Sequence, residues 1–178
     1  MTIVITLPYF LDGEGELIVR HLHQIEYVHI RKPESTEREL ENLIMQIPQE
    51  YHPRLVLHDH HGLAAKHGIG GIHLNSRNPL PPAGWTGRVS RSCHSIEEVK
   101  EWKAKCDYVS LSPIFDSISK SGYNSAFSKE ELLTYSSQGI IDTKVMALGG
   151  VTFDRLDEVK SLGFGGAMIL GDAWRNNR

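Results

Sequence analysis

Short apolar runs recur along the whole chain, and most are followed by a longer stretch with helical spacing. The runs at residues 2–7, 27–31, 55–59, 71–74, 88–92, 108–113, 144–148 and 166–170 read as strands. Residues 16–23, 36–47, 62–67, 96–105, 129–135 and 152–162 read as helices, and in the last of these Leu156, Val159 and Leu162 fall on one face. Residues 78–87 are rich in Pro and Gly and predict no full helix. Strands alternating with helices imply parallel pairing through right-handed crossovers. Eight of them imply closure into a barrel rather than an open sheet. The strands alternate in character: Val28 and Ile30 are set against His29 and Arg31, and Val109 and Leu111 against Ser110 and Ser112. An open sheet would instead place long apolar strands at its centre. The expected architecture is α/β, one compact (β/α)8 TIM-barrel domain over residues 1–178, with a short fourth connection. Only residues 171–178 follow the eighth strand, so the eighth helix is expected to be truncated or missing. A second subunit, most simply in a homodimer, is expected to cover the wall left bare.

Composition narrows the classes. With 178 residues, 40% hydrophobic and 23% charged, the chain is ordinary globular material for one domain. The net charge of −3 and the lack of a basic stripe argue against nucleic acid and anionic membranes as partners. No apolar run approaches the ~20 residues of a membrane span. The N-terminal residues lack the charged start and cleavage site of a signal peptide. Two cysteines, Cys93 and Cys106, read as small buried hydrophobes in a reducing, cytoplasmic setting.

In a barrel the chemistry collects at the C-terminal strand ends. Gly149-Gly150 precedes the helix expected near Thr152, and Gly171 follows the eighth strand. Backbone N–H groups at such turns make a phosphate site; alone, each glycine also reads as a turn residue needing positive φ. Ser117-Ile118-Ser119-Lys120 sets two hydroxyls and an ammonium in one loop, which by itself reads as a solvated loop. Arg31 at a strand end calls for an anionic partner. His58-Asp59-His60-His61 invites a zinc reading, but no Cys and no clearly placed third ligand joins it, so His60 and His61 read as structural. Asp59 is a candidate for one carboxylate on Mg2+. Ser92-Cys93-His94 lacks the glycines of a nucleophile elbow.

Four segments, in order, carry a resemblance. They are Tyr27-Val28-His29-Ile30-Arg31; Arg91-Ser92-Cys93-His94-Ser95-Ile96-Glu97-Glu98; Asp107-Tyr108-Val109 with Ser112-Pro113-Ile114-Phe115 and then Lys120; and Met146-Ala147-Leu148-Gly149-Gly150-Val151-Thr152. Together they resemble the thiamine-phosphate synthase family and its relatives, the thiazole tautomerases. The resemblance implies a transferase of thiamine biosynthesis that joins a hydroxymethylpyrimidine pyrophosphate to a thiazole phosphate. Pyrophosphate leaves first, and the thiazole nitrogen then attacks the pyrimidine-methyl cation. It implies that Arg31 and Lys120 hold the pyrophosphate and that Ser92 bonds near the reacting carbon. Ser117, Ser119, Gly149, Leu170 and Gly171 would hold the thiazole phosphate, with His29 and His58 at further substrate positions. Mg2+ would sit on Asp59 and Asn78, weakly until pyrophosphate arrives. The family pattern has Gln at His29, Lys at Pro33, Asn at His58 and Asp at Asn78. The alternatives are a tautomerase, whose acid–base group would come from His29, His58 or His94, and a non-catalytic binder of thiazole or thiamine phosphate.

Overall fold

The computed structural model describes residues 1–116 and 126–177. Its strands are β1 (Thr2–Ile5), β2 (Tyr27–Ile30), β3 (Leu55–Leu57), β4 (Gly71–Leu74), β5 (Arg88–Cys93), β6 (Tyr108–Leu111), β7 (Val145–Leu148) and β8 (Gly166–Ile169). They form a closed parallel barrel in the order β1 to β8, the (β/α)8 architecture that the alternation implies. The α-helices are α1 (Glu14–Leu22), α2 (Glu37–Met45), α3 (Gly62–His67), α4 (Ile96–Trp102), α5 (Lys129–Ser137) and α6 (Leu156–Ser161). The chain forms two compact units, Ile3–Val89 and Ser90–Arg178, the second including Met1–Thr2. Among the described residues no helix is long and apolar enough to cross a membrane.

Local chemistry accounts for the helix starts. The Thr36 hydroxyl accepts from Glu39 N–H, while the Glu39 carboxylate accepts from Thr36 N–H, which fixes the start of α2. Ser128 and Glu131 do the same for α5, and Ser95 caps α4. Each such cap contributes about 1 kcal/mol.

Several strands end before the runs read from the sequence do: β1 at Ile5, β3 at Leu57 and β6 at Leu111. The polar residues beyond them keep one further inter-strand bond each. Thr6 N–H donates to His29 O, His58 N–H to Ile30 O, and Ser112 N–H to Cys93 O. The chain then turns away, so each predicted run outlasts its strand by one or two residues.

The helix expected over 152–162 is two pieces, a single 3-10 turn (Phe153–Arg155) and then α6. Residues 75–87 contain no helix, in line with the short fourth connection. After β8 a 3-10 helix (Asp172–Asn177) stands where a full helix would, and its Trp174 is 0% exposed. The short segment thus buries its indole within the fold.

In the first unit an ion pair lies inside the fold. Lys32 Nζ meets Glu14 Oε1 at 2.6 Å, with both side chains fully buried. The same ammonium donates to the carbonyls of Leu7 and Tyr9. It thus ties the loop after β1 and the first turn of α1 to the end of β2.

Candidate active site

In the first unit, β2, β3 and β4 bring three imidazoles together. His29 lies within β2, His58 follows β3 and His73 lies within β4. The register aligns Ile30 with Leu57 and Leu57 with Ile72, so the next residues, His58 and His73, stand side by side. Their rings stack with centroids 4.1 Å apart, and His29 meets both edge-on at 5.1 and 5.2 Å. His29 Nδ1 and His58 Nε2 are 2.9 Å apart, sharing a hydrogen bond. Burial holds both His29 and His58 well below the usual imidazole range; the neighbouring His73 adds to this, as do Arg88 for His29 and His29 and Arg31 for His58. Both rings are therefore neutral at neutral pH.

Next to them is a charged network. Arg77, in the loop after β4, lays its guanidinium across Asp59: Nε donates to Oδ1 at 3.0 Å and an Nη to Oδ2 at 3.2 Å. Asn78 Nδ2 donates to the His58 carbonyl at 3.1 Å and to Asp59 Oδ1 at 3.2 Å. A carbonyl can only accept, so the amide nitrogen must face this way and the amide oxygen away. Asp59 and Asn78 are thus brought together as the sequence suggests. A cation already balances the carboxylate, however, and an amide N–H stands where a metal-ligating oxygen would have to be. In this arrangement the residues do not fit Mg2+.

Arg31, just past β2, is half-buried. Burial and the Arg77 charge lower its pKa, and Asp59 opposes them. Two guanidinium groups beside one carboxylate leave a positive balance, and among the described residues nothing hydrogen-bonds the Arg31 guanidinium. His60 adopts a left-handed φ of 51° and bonds Ser35 O at 2.7 Å, away from the imidazole group.

The second unit holds the glycine turns. Gly149 and Gly150 have φ of 92° and 64°, and a Cβ on them would come within 2.8 Å of Pro113 Cα and 2.4 Å of Asp116 O. Only glycine fits both the conformation and the close approach. Ile114 and Phe115 N–H donate to Leu148 and Gly149 carbonyls. Among the described residues the N–H groups of Gly149, Gly150 and Gly171 meet no acceptor. Asp172 Oδ2 accepts from Phe153 N–H at 2.8 Å, joining the turn after β7 to the turn after β8. Leu170 and Gly171 are half-buried beside that junction. Ser92 is half-buried in β5, and Ser112 Oγ lies 3.2 Å from Nδ1 of the exposed His94. Ser117, Ser119 and Lys120 lie outside the described residues.

Comparison with known proteins identifies the family. The model of the family described as thiamine monophosphate synthase matches residues 16–171. The chain belongs to that family. Among its relatives is the thiamine-phosphate synthase of Photorhabdus laumondii, 28% identical over 143 residues, a match covering 77% of this chain and 65% of that protein. That of Actinobacillus succinogenes is 25% identical, with 74% and 62% covered. The chain thus spans just under two-thirds of the length of these relatives. A crystal structure of thiamine phosphate pyrophosphorylase from Bacteroides thetaiotaomicron superposes with a TM-score of 0.89 at 44% identity, covering 98% of this chain and 84% of that one. The pyrophosphorylase from Pyrococcus furiosus shares the fold at 20% identity with a TM-score of 0.76.

Sequence reasoning singled out neither His73 nor Arg77. A signal for His73 is present in the sequence, because the strands at 27–31, 55–59 and 71–74 each carry a histidine. For Arg77 there was none beyond its place beside Asn78.

Proposed function

We propose that the protein is a thiamine-phosphate synthase, a transferase that joins hydroxymethylpyrimidine pyrophosphate to thiazole phosphate and releases pyrophosphate. The observation that carries the reading is the pair of guanidinium groups, Arg31 and Arg77, set against the single carboxylate of Asp59. In the reaction the bond from the pyrimidine methylene to the pyrophosphate oxygen breaks, and its electron pair leaves with the pyrophosphate. The thiazole nitrogen then forms the new bond to the methylene carbon. The barrier falls when charge on the leaving group is met by fixed donors, and Arg31 and Arg77 supply them. Lys120 would add its ammonium, and Ser92 would bond near the reacting carbon. The unengaged N–H groups of Gly149, Gly150 and Gly171 suit the thiazole phosphate, and the family resemblance would add Leu170, Ser117 and Ser119 to its contacts. Because Asp59 is paired with Arg77, no step is assigned to Mg2+.

A second reading, a thiazole tautomerase-like isomerase, is favoured by one observation. Proton transfer on a thiazole phosphate carboxylate has no leaving group and needs no Mg2+, and the exposed His94 ring, bonded to Ser112, is an available acid–base group. Purified protein assayed with both synthase substrates, and separately with the thiazole tautomer alone, divides the two. The synthase reading expects thiamine phosphate and pyrophosphate in equal amounts, with kcat/KM reduced by about 10²–10³ in Arg31→Ala. Turnover of the tautomer alone, with no thiamine phosphate formed, would overturn it.

A further inference from the structure

We propose that His29, His58 and His73 form a buried three-histidine site for a divalent transition-metal ion, Zn2+ first among them. The proposal stands independently of the synthase reading. The three side chains come from three neighbouring strands whose register is fixed by the barrel ladder. The residues are 0%, 5% and 1% exposed. One ring nitrogen from each lies within 4.8 Å of the others. In a tetrahedral site with Zn–N of about 2.0–2.1 Å, ligand nitrogens sit roughly 3.3 Å apart. The 2.9 Å contact between His29 Nδ1 and His58 Nε2 needs to open by a few tenths of an ångström, and the wider pairs need to close, which is within the reach of small ring rotations. Imidazole donors without a carboxylate suit Zn2+ over Mg2+.

The surroundings support ligation. His29 Nδ1 and His58 Nε2 already face each other across 2.9 Å, and an ion between them would take the place of the shared proton, which moves to an outer ring nitrogen. The backbone carrying His58 is pinned, because its carbonyl accepts from Asn75 Nδ2 at 2.8 Å as well as from Asn78. Three protein ligands leave a fourth position open, as in metal sites that bind water or substrate. Near the cluster are two buried nitrogens with no hydrogen-bond partner among the described residues. The Arg88 charge bears on His29, and Arg88 Nη1 is a buried atom with no hydrogen bond among the described residues. His61, whose charge bears on His58, likewise buries an unbonded Nε2. The Arg88 guanidinium would favour an oxygen anion, hydroxide or a substrate oxygen, as the fourth ligand.

The test uses the full chain with any histidine tag removed, stripped with chelator and then dialysed. Calorimetric titration with Zn2+ should show one equivalent bound, and Co2+ should give the intense visible absorption of a tetrahedral ion. The variant His29→Gln with His58→Asn keeps neutral polar side chains of smaller or similar size. It should lose at least about 100-fold in Zn2+ affinity, more than loss of an outer-shell partner costs. His67→Gln, which removes a ring bonded to Glu41 outside the cluster, should leave both readouts unchanged. Absence of the Co2+ bands in the unaltered protein would overturn the proposal without recourse to any variant. So would a folded double variant, checked by circular dichroism, that binds Zn2+ as tightly as the parent.

Discussion

Arg77 lies on Asp59 through two hydrogen bonds, and Asn78 turns its amide nitrogen toward the same carboxylate. Any Mg2+ ion approaching Asp59 must displace a guanidinium before it gains a ligand. Arg77→Gln combined with Asn78→Asp should therefore raise the affinity of the free protein for Mg2+ by tenfold or more, on the order of the charge balance restored. Calorimetric titration of both proteins, with and without pyrophosphate, checks this; equal affinities would mean that Asp59 is not the limiting group. The carboxylate and the amide were legible in the sequence as a pair, because the resemblance aligned them with metal positions. The arginine was not, because a residue in a turn says nothing of where its long side chain reaches. His73 was missed for a related reason. The search for ligands ran along residues 58–61, whereas parallel strands assemble ligands across the sheet, here between positions 15 residues apart. A further residue-scale expectation concerns Cys93, whose pKa is pushed up to about 12 by burial and then by the Glu98 charge. An acid raised in the folded state contributes stability that is complete below its unfolded pKa of about 8.5 and fades as the pH rises toward the folded value. At pH 8 the native thiol should resist a chromogenic disulfide reagent, while denatured protein titrates two thiols. Rapid native reaction of Cys93 would contradict its burial.

Among the elements, the α1–β2 connection depends on an ion pair that periodicity does not reveal. Lys32 and Glu14 are 18 residues apart, and each sits in a stretch that reads as polar surface. The strands and most helices were legible because their apolar positions repeat at fixed intervals. The ends of β1, β3 and β6 were not, since Thr6, His58 and Ser112 each keep one inter-strand bond after the ladder has ended. Residues 152–162 carry helical spacing throughout, yet their first turn is 3-10, with Asp172 accepting from Phe153 N–H at its start. No reading of the local pattern could supply that distant carboxylate. Lys32→Met should cost roughly 3–5 kcal/mol, because it strands the Glu14 charge in the interior. Lys32→Met with Glu14→Leu should recover much of that loss. Chemical denaturation of the three proteins measures both. A single variant as stable as the parent would show that the pair is only incidental to the fold.

On the scale of the whole chain, eight short strands with polar alternation were enough to foretell the barrel order, and four segments were enough to foretell the family. Activity is less legible, because one fold hosts several reactions. Arg77 and His73, which the site brings together with Asp59 and with His58, have partners that lie across strands and loops rather than nearby in sequence. The assays with the two substrates and with the tautomer therefore carry more weight than further pattern matching. Trp174, sealed in the 3-10 segment after β8, has a use outside chemistry. The chain has three tryptophans. Trp102 lies between the Arg91 guanidinium and the Lys105 ammonium, and Trp85 is half-buried in a loop. Trp174 alone is fully shielded from water. Its fluorescence should sit at short wavelength and shift to the red when the segment after β8 comes loose, giving an optical reading of that segment's docking.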